Sequence, residues 1–274
     1  MDKINNRPIG VFDSGVGGLT VAREIMRHLP DEDIVYFGDT ARVPYGSKSE
    51  EVILHYSRQI AHFLKKKNVK AIVIACNTAS AIALDVLQKE MDIPVIGVVI
   101  PGSRVAVETT ENKKIGVIGT QATIKSGMYT KLMQERDPEV SVIGKACPLF
   151  VPLVEEGFTN HHITEEVIDI YLNEMKQSQI DTLILGCTHY PLLRSMIQKY
   201  MGEEIHIVNP AYETAMDLKR LLKEQEMEHD PLAEDEIAQH EFYASDAPVK
   251  FKAFANAILP YNIDWIEHIN MEEF

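Results

Sequence analysis

An α/β protein made of two similar parallel-sheet units, with helices on both faces of each sheet, is predicted by three features of this 274-residue sequence. Short β-rich runs alternate with stretches of helical periodicity, the pattern of parallel βαβ units. The runs KAIVIAC and DTLILGC lack polar alternation, which suits strands buried on both faces. A weak internal repeat sets RPIGVFDS against KKIGVIGT, and the Gly10 to Gly116 separation is close to that of Cys76 and Cys187.

In chain order, strands are expected at PIGVF, DIVYFG, KAIVIAC, IPVIGVV, KKIGVIGT, VSVIGKAC, DTLILGC and EIHIVNP. After the first strand, Ala22, Ile25, Met26 and Leu29 fall at helical spacing. After the last cysteine, Leu192, Leu193, Met196, Ile197 and Tyr200 do the same, with Pro191 suited to the first turn. Lys65, Lys66 and Lys67 read as a solvated helix end, where positive charge complements the helix dipole. Pro101 and Gly102 in VVIPGS punctuate the chain and mark the expected boundary between units. The segment after IVNPAYET returns to the first unit, so the expected units are residues 1–98 with 211–274, and 99–210. The acidic stretch Glu224 to Glu236 reads as a helix end and surface loop without chemistry.

An apolar share of 45% is ample for a globular core. The start, MDKINNRPIGVF, has no long apolar stretch behind a basic head, and no run approaches the roughly 20 apolar residues of a membrane span. A soluble, cytoplasmic protein is therefore expected. Three cysteines without an export signal imply reduced thiols rather than a disulfide framework. The net charge of −14 argues against a nucleic-acid surface, which needs clustered Lys and Arg. A site for an acidic ligand must then be built locally from backbone N–H groups and neutral donors.

In parallel α/β sheets ligands bind at the carboxyl ends of strands, where helix N-termini point donors into the crevice. The unusual residues of this chain stand there. Cys76 closes one strand and Asn77 and Thr78 follow; Cys187 closes another, followed by Thr188 and His189. Asp13 and Ser14 follow the first strand, and Gly119 and Thr120 follow its counterpart. One such cysteine is ordinarily a small buried hydrophobe, and Asn or Thr there is ordinarily a helix cap. Two in matching contexts point to chemistry, whereas Cys147 lacks that context. A helix N-terminus lowers a thiol's pKa from about 8.5 and makes it a usable base. A thiolate facing a thiol across a held carbon acid removes a proton from one face and supplies one to the other. Such a pair inverts a stereocentre without metal, nucleotide or organic cofactor. His189 is placed to tune Cys187 and Asp13 to move protons at Cys76, although either is also a common satisfied turn residue. His161 and His162 have no partner at a recognised metal-ligand spacing and read as a loop. DSGVGG lacks a P-loop lysine, and Thr20 stands where a dinucleotide fingerprint has its last Gly. A small carboxylate beside Ser14 suits it better. Pro44, Tyr45 and Gly46 either line the same crevice or form a structural loop.

Together, FDSGVGG, DTARVPYG, ACNTAS, GVIGT, VEEGF and GCTHYPLL make residues 7 to 220 resemble the glutamate racemase family of cofactor-independent enzymes. The resemblance implies that Cys76 deprotonates D-glutamate and Cys187 L-glutamate, each cysteine reprotonating what the other has deprotonated. It implies that Asp13 assists Cys76 and that His189, backed by Glu156, assists Cys187. Substrate contacts are implied for Asp13, Ser14, Tyr45, Gly46, Asn77, Thr78, Thr120, Thr188 and His189. Two pseudo-symmetric α/β domains with the site in the cleft between them, a homodimer and supply of D-glutamate to peptidoglycan are implied as well. FYASDAPVKFKAFANAIL is similar to the family's closing strand and helix, with ASDAP a loose version, and PYNIDWIEHINMEEF has no functional reading.

Four rivals stand beside this reading. An aspartate racemase would use the same two thiols, but the His after Cys187 and Thr188 and the surrounding HYPLL favour glutamate. A thiol hydrolase built on Cys187 and His189 leaves Cys76 unexplained. A binding protein using the DSGVGG turn would tolerate serine at both cysteines. A pyridoxal phosphate racemase needs a Schiff-base lysine, and no lysine here has an identifying context.

Overall fold

A computed structural model describes residues 4–233 and 236–274. Its first eight strands form where β-rich runs were expected: β1 (Ile9–Asp13), β2 (Ile34–Gly38), β3 (Ala71–Ile74), β4 (Val95–Gly97), β5 (Lys114–Gly119), β6 (Ser141–Ala146), β7 (Thr182–Gly186) and β8 (His206–Val208). Two more, β9 (His240–Ala244) and β10 (Glu267–His268), come from the closing segment. The strands make a six-stranded sheet, β10-β9-β2-β1-β3-β4, and a four-stranded sheet, β6-β5-β7-β8. Every pairing is parallel. In each sheet a central strand is flanked by the next two, and the fourth lies outside the third. The weak sequence repeat is thus a repeat of topology, and it carries Cys76 and Cys187 to equivalent strand ends.

The helices are α1 (Leu19–His28), α2 (Glu50–Lys66), α3 (Asn77–Glu90), α4 (Val99–Thr109), α5 (Gln121–Lys125), α6 (Met128–Arg136), α7 (Phe150–Glu155), α8 (His162–Gln177), α9 (Arg194–Met201), α10 (Pro210–Glu224) and α11 (Pro248–Ile258). α2 begins with Ser49 accepting a hydrogen bond from Val52 N–H and ends in the lysine run, as its charge pattern predicts. The predicted face of α1, Ala22, Ile25, Met26 and Leu29, is buried. β1, β3 and β7 are buried along their whole length, which is why they lack polar alternation. Side chains of β1 alternate between two cores: Ile9 and Val11 join Ile25 and Leu218, while Phe12 joins Ile60 and Leu64. The first of these cores continues into Ile115, Val117 and Ile184 of the four-stranded sheet, so apolar packing is continuous between the sheets. Among the described residues no helix is long and apolar enough to cross a membrane.

Pro101 and Gly102 do not break the chain as expected. They lie in the first turns of α4, where proline's missing N–H needs no intrahelical partner. A side chain at Gly102 would stand 3.0 Å from Pro210 Cγ, so this glycine lets the start of α10 approach α4. Glu224 ends α10, and among the described residues the stretch 225–239 holds no helix, as read from its charge; Glu234 and Asp235 lie outside the described residues. The terminal segment packs on the first sheet, with Met271 buried and the Phe274 ring 5.3 Å from that of Phe63.

A buried ion pair holds three distant segments. Lys70 Nζ lies 2.6 Å from Glu32 Oε2, and it also donates to the carbonyls of Asn5 at 2.5 Å and Met227 at 2.8 Å. Glu32 Oε1 accepts from His229 N–H at 2.9 Å. Burial pushes the lysine's pKa down and the glutamate's up, each opposed by its partner. Lys70→Met alone is expected to destabilise the fold by about 3–5 kcal/mol, because it strands a buried carboxylate. Lys70→Met with Glu32→Leu should cost much less; equal losses for the two variants in urea titrations would refute this account.

Candidate active site

Every residue singled out at a strand end lies on the carboxyl edge of one of the two sheets. Asp13 ends β1, and Cys76 follows β3 and caps α3. Thr120 follows β5 and caps α5, and Cys187 follows β7 ahead of a short 3-10 turn, Tyr190–Leu193. Both cysteines are buried, with 5% and 6% of their surface exposed.

On the first sheet, Ala79 N–H donates to Cys76 Sγ at 3.5 Å, and the thiol donates to Ser14 Oγ at 3.6 Å. The expected helix effect is present but does not win. Burial, reinforced by the Asp13 charge, outweighs those hydrogen bonds and raises the Cys76 pKa to about 12. This corrects the expectation of a lowered pKa, and Cys76 rests as the protonated thiol. Asp13 Oδ2 accepts from Gly15 N–H at 3.0 Å, while its Oδ1 is buried without a hydrogen-bond partner among the described residues. Burial raises the Asp13 pKa, partly offset by the positive charge of His189 and by N–H groups of Gly18 and Gly15.

On the second sheet, His189 Nδ1 lies 3.9 Å from Cys187 Sγ, and its Nε2 is 2.9 Å from Glu155 Oε1. The carboxylate behind the histidine is therefore Glu155, in place of the expected Glu156. Glu155 is the last residue of α7, and the next residue, Glu156, is turned about 100° around the helix axis; both line a groove with Gly157 and Thr159, and it is Glu155 that reaches the imidazole. Burial disfavours a charged imidazole, yet hydrogen bonds to Cys187 and Glu155 overcome it and raise the His189 pKa to about 10. A folded pKa above the unfolded value of about 6.5 gives stability that is complete below that pH and is lost as pH rises through about 10. Glu155→Gln is expected to lower the imidazole pKa and flatten this alkaline decline. Urea titrations across that window check the point, and an unchanged slope would count against the pairing.

Direct contacts join the two halves. Thr78 Oγ1 lies 2.8 Å from Thr120 Oγ1 and 3.0 Å from Thr123 Oγ1. Thr20 Oγ1 donates to the Thr188 carbonyl at 3.0 Å, and Tyr129 OH donates to Asn77 Oδ1 at 2.6 Å. A side chain at Gly46 would stand 2.7 Å from Thr120 Cβ, so the Tyr45–Ser47 turn rests on the second unit. The Tyr45 hydroxyl bonds Asp39, whose buried carboxylate also accepts from Arg42 Nε at 2.7 Å and Ser245 Oγ at 2.8 Å. Tyr45 thus anchors its loop through its side chain.

Sequence reasoning missed Thr123, Tyr129, Glu155, Thr20 and Asp39. The three-residue spacing of Thr120 and Thr123 signals a helix cap, since Thr120 Oγ1 accepts from Thr123 N–H at 3.2 Å. Tyr129, Glu155 and Thr20 act through contacts distant in sequence, and Asp39 joins its near neighbours Arg42 and Tyr45 to the distant Ser245. Cys147 sits in the apolar core, its thiol 3.7 Å from the Lys145 carbonyl, and burial raises its pKa to about 12. His161 caps α8 through Nδ1, 3.2 Å from Ile163 N–H.

Two buried cysteines, one backed by Ser14 and Asp13 and the other by a histidine–carboxylate pair, can exchange protons with a bound carbon acid. The chain is similar over nearly its whole length to known proteins. A curated glutamate racemase from Geobacter metallireducens is 46% identical over 266 residues, 97% of each chain. The crystal structure of a glutamate racemase from Bacillus anthracis superposes with a TM-score of 0.92 at 42% identity, covering 97% of this chain and 98% of that one. A Francisella tularensis glutamate racemase in complex with D-glutamate gives 0.90 at 40% identity, covering 98% and 100%. The profile described as Asp/Glu/Hydantoin racemase matches residues 9–216, and with these relatives it shows that the chain belongs to the Asp/Glu/hydantoin racemase family.

Proposed function

We propose that this chain is a glutamate racemase that moves one proton off and one proton onto the α-carbon with its own two thiols. The observation that carries the reading is the pair of buried strand-end cysteines, each with its own proton-handling partner, in two sheets of the same topology. From L-glutamate, Cys187 takes the α-proton while the His189 imidazolium, held by Glu155, stabilises the thiolate state. Cys76, resting as a thiol, delivers its proton to the opposite face. In the other direction Cys76 must first lose that proton, and Asp13 beside it is the acceptor. The unpartnered Asp13 Oδ1 is suited to the substrate ammonium. Ser14, Asn77, Thr78, Thr120 and Thr188 supply neutral donors for the two carboxylates, with Tyr45 and Gly46 closing one wall.

The working unit is divided as residues 1–98 with 211–274, and 99–210, with substrate bound between. The family resemblance supports a cytoplasmic homodimer that supplies D-glutamate for peptidoglycan. The test is incubation of the purified protein with L-glutamate in heavy water, following optical rotation and the α-proton NMR signal together. Loss of rotation with deuterium entering the α-carbon is the expected result. Inertness toward glutamate with turnover of aspartate would overturn the substrate assignment, and inertness toward both would overturn the reading.

A further inference from the structure

Tyr129 is a buried residue that touches both halves of the site. It lies on α6 of the second unit with 3% of its surface exposed. Its ring packs on Gly186, the residue before Cys187: a side chain there would stand 3.3 Å from Tyr129 Cε2. Its hydroxyl donates to Oδ1 of Asn77, the residue after Cys76, at 2.6 Å. Asn77 is itself buried, with 4% of its surface exposed.

An Asn amide has two orientations that exchange acceptor and donor ends, and its neighbours decide between them. With the acceptor end occupied by the tyrosine hydroxyl, the –NH2 end is left for another partner. Resting on this racemase reading, we infer that Tyr129 is a positioning residue that holds Asn77 with its –NH2 toward a substrate carboxylate and ties the strand end of Cys76 to that of Cys187. The contact crosses from one unit to the other, so it forms only when the two are docked in the register that brings the thiols to one substrate.

Tyr129→Phe removes one oxygen and keeps the ring packed on Gly186. The expected result is a rise in KM for both enantiomers of about three- to tenfold, the scale of one hydrogen bond, with kcat changed by less than about threefold. In an Asn77→Ala background the same change should have no further effect on KM, because the group it positions is gone. A tyrosine that serves only packing would lower stability by the same amount in both backgrounds and leave KM alone. Asn77→Asp is the second variant: it keeps an acceptor for Tyr129 but turns a carboxylate toward a carboxylate, and KM should rise. An unchanged KM in Tyr129→Phe, an undiminished KM effect in the Asn77→Ala background, or an unchanged KM in Asn77→Asp would each overturn the inference. Wild-type protein measured alongside separates the two failures: inactive wild type overturns the racemase reading and this inference with it, whereas active wild type with any of those three results overturns the inference alone.

Discussion

Serine at either Cys76 or Cys187 is expected to lower glutamate racemization by about 10²–10⁴-fold, the usual contribution of a positioned acid or base. An alcohol is a far weaker acid and base than a thiol, and the change is close to isosteric, so circular dichroism and urea midpoints should stay near wild type. The two variants should also differ in direction. With Cys187 intact, Cys76→Ser should still exchange the α-proton of L-glutamate with heavy water better than that of D-glutamate, and Cys187→Ser should do the reverse. Near-normal racemization by either variant, with the fold unchanged, would refute the two-thiol mechanism.

The second large effect lies at a glycine outside both cysteine motifs. A side chain at Gly17 would stand 2.3 Å from Thr188 Oγ1 and 2.5 Å from His189 Nδ1. That nitrogen is the one facing Cys187, and the Thr188 carbonyl is already held by Thr20. The imidazole, held between Cys187 and Glu155, cannot yield without leaving a partner. Gly17→Ala is therefore expected to move the imidazole and reduce turnover by about 10²-fold, the loss that a displacement near 1 Å can produce. Overpacking this buried contact should also cost about 1–3 kcal/mol. Turnover and urea titration measured on one preparation test both parts. Wild-type turnover would show that the chain can relax around the added methyl and that the approach is not required.

Much of the architecture was legible because local patterns and burial agree. Apolar runs without alternation became strands covered on both faces, and the helical spacing from Ala22 to Leu29 became the buried face of α1. VVIPGS shows the limit of such reading, since proline and glycine punctuate a chain only when they fall outside a helix's first turns, and here they fall inside. Glu155 and Glu156 show another: adjacent acidic residues at a helix end are equivalent in sequence, and the helix's rotation selects which one meets His189.

By itself, the sequence determined two α/β units of one topology, a cysteine at equivalent strand ends of each, and hydrogen-bonding residues behind both. These follow from periodicity and order along the chain. The tertiary structure decided the raised pKa of Cys76, the choice of Glu155, the reach of Tyr129 to Asn77 and the approach of Gly17 to Thr188 and His189. Each depends on burial or on contact between residues far apart in the chain. Desolvation and cross-unit distances exist only once the two sheets have packed together.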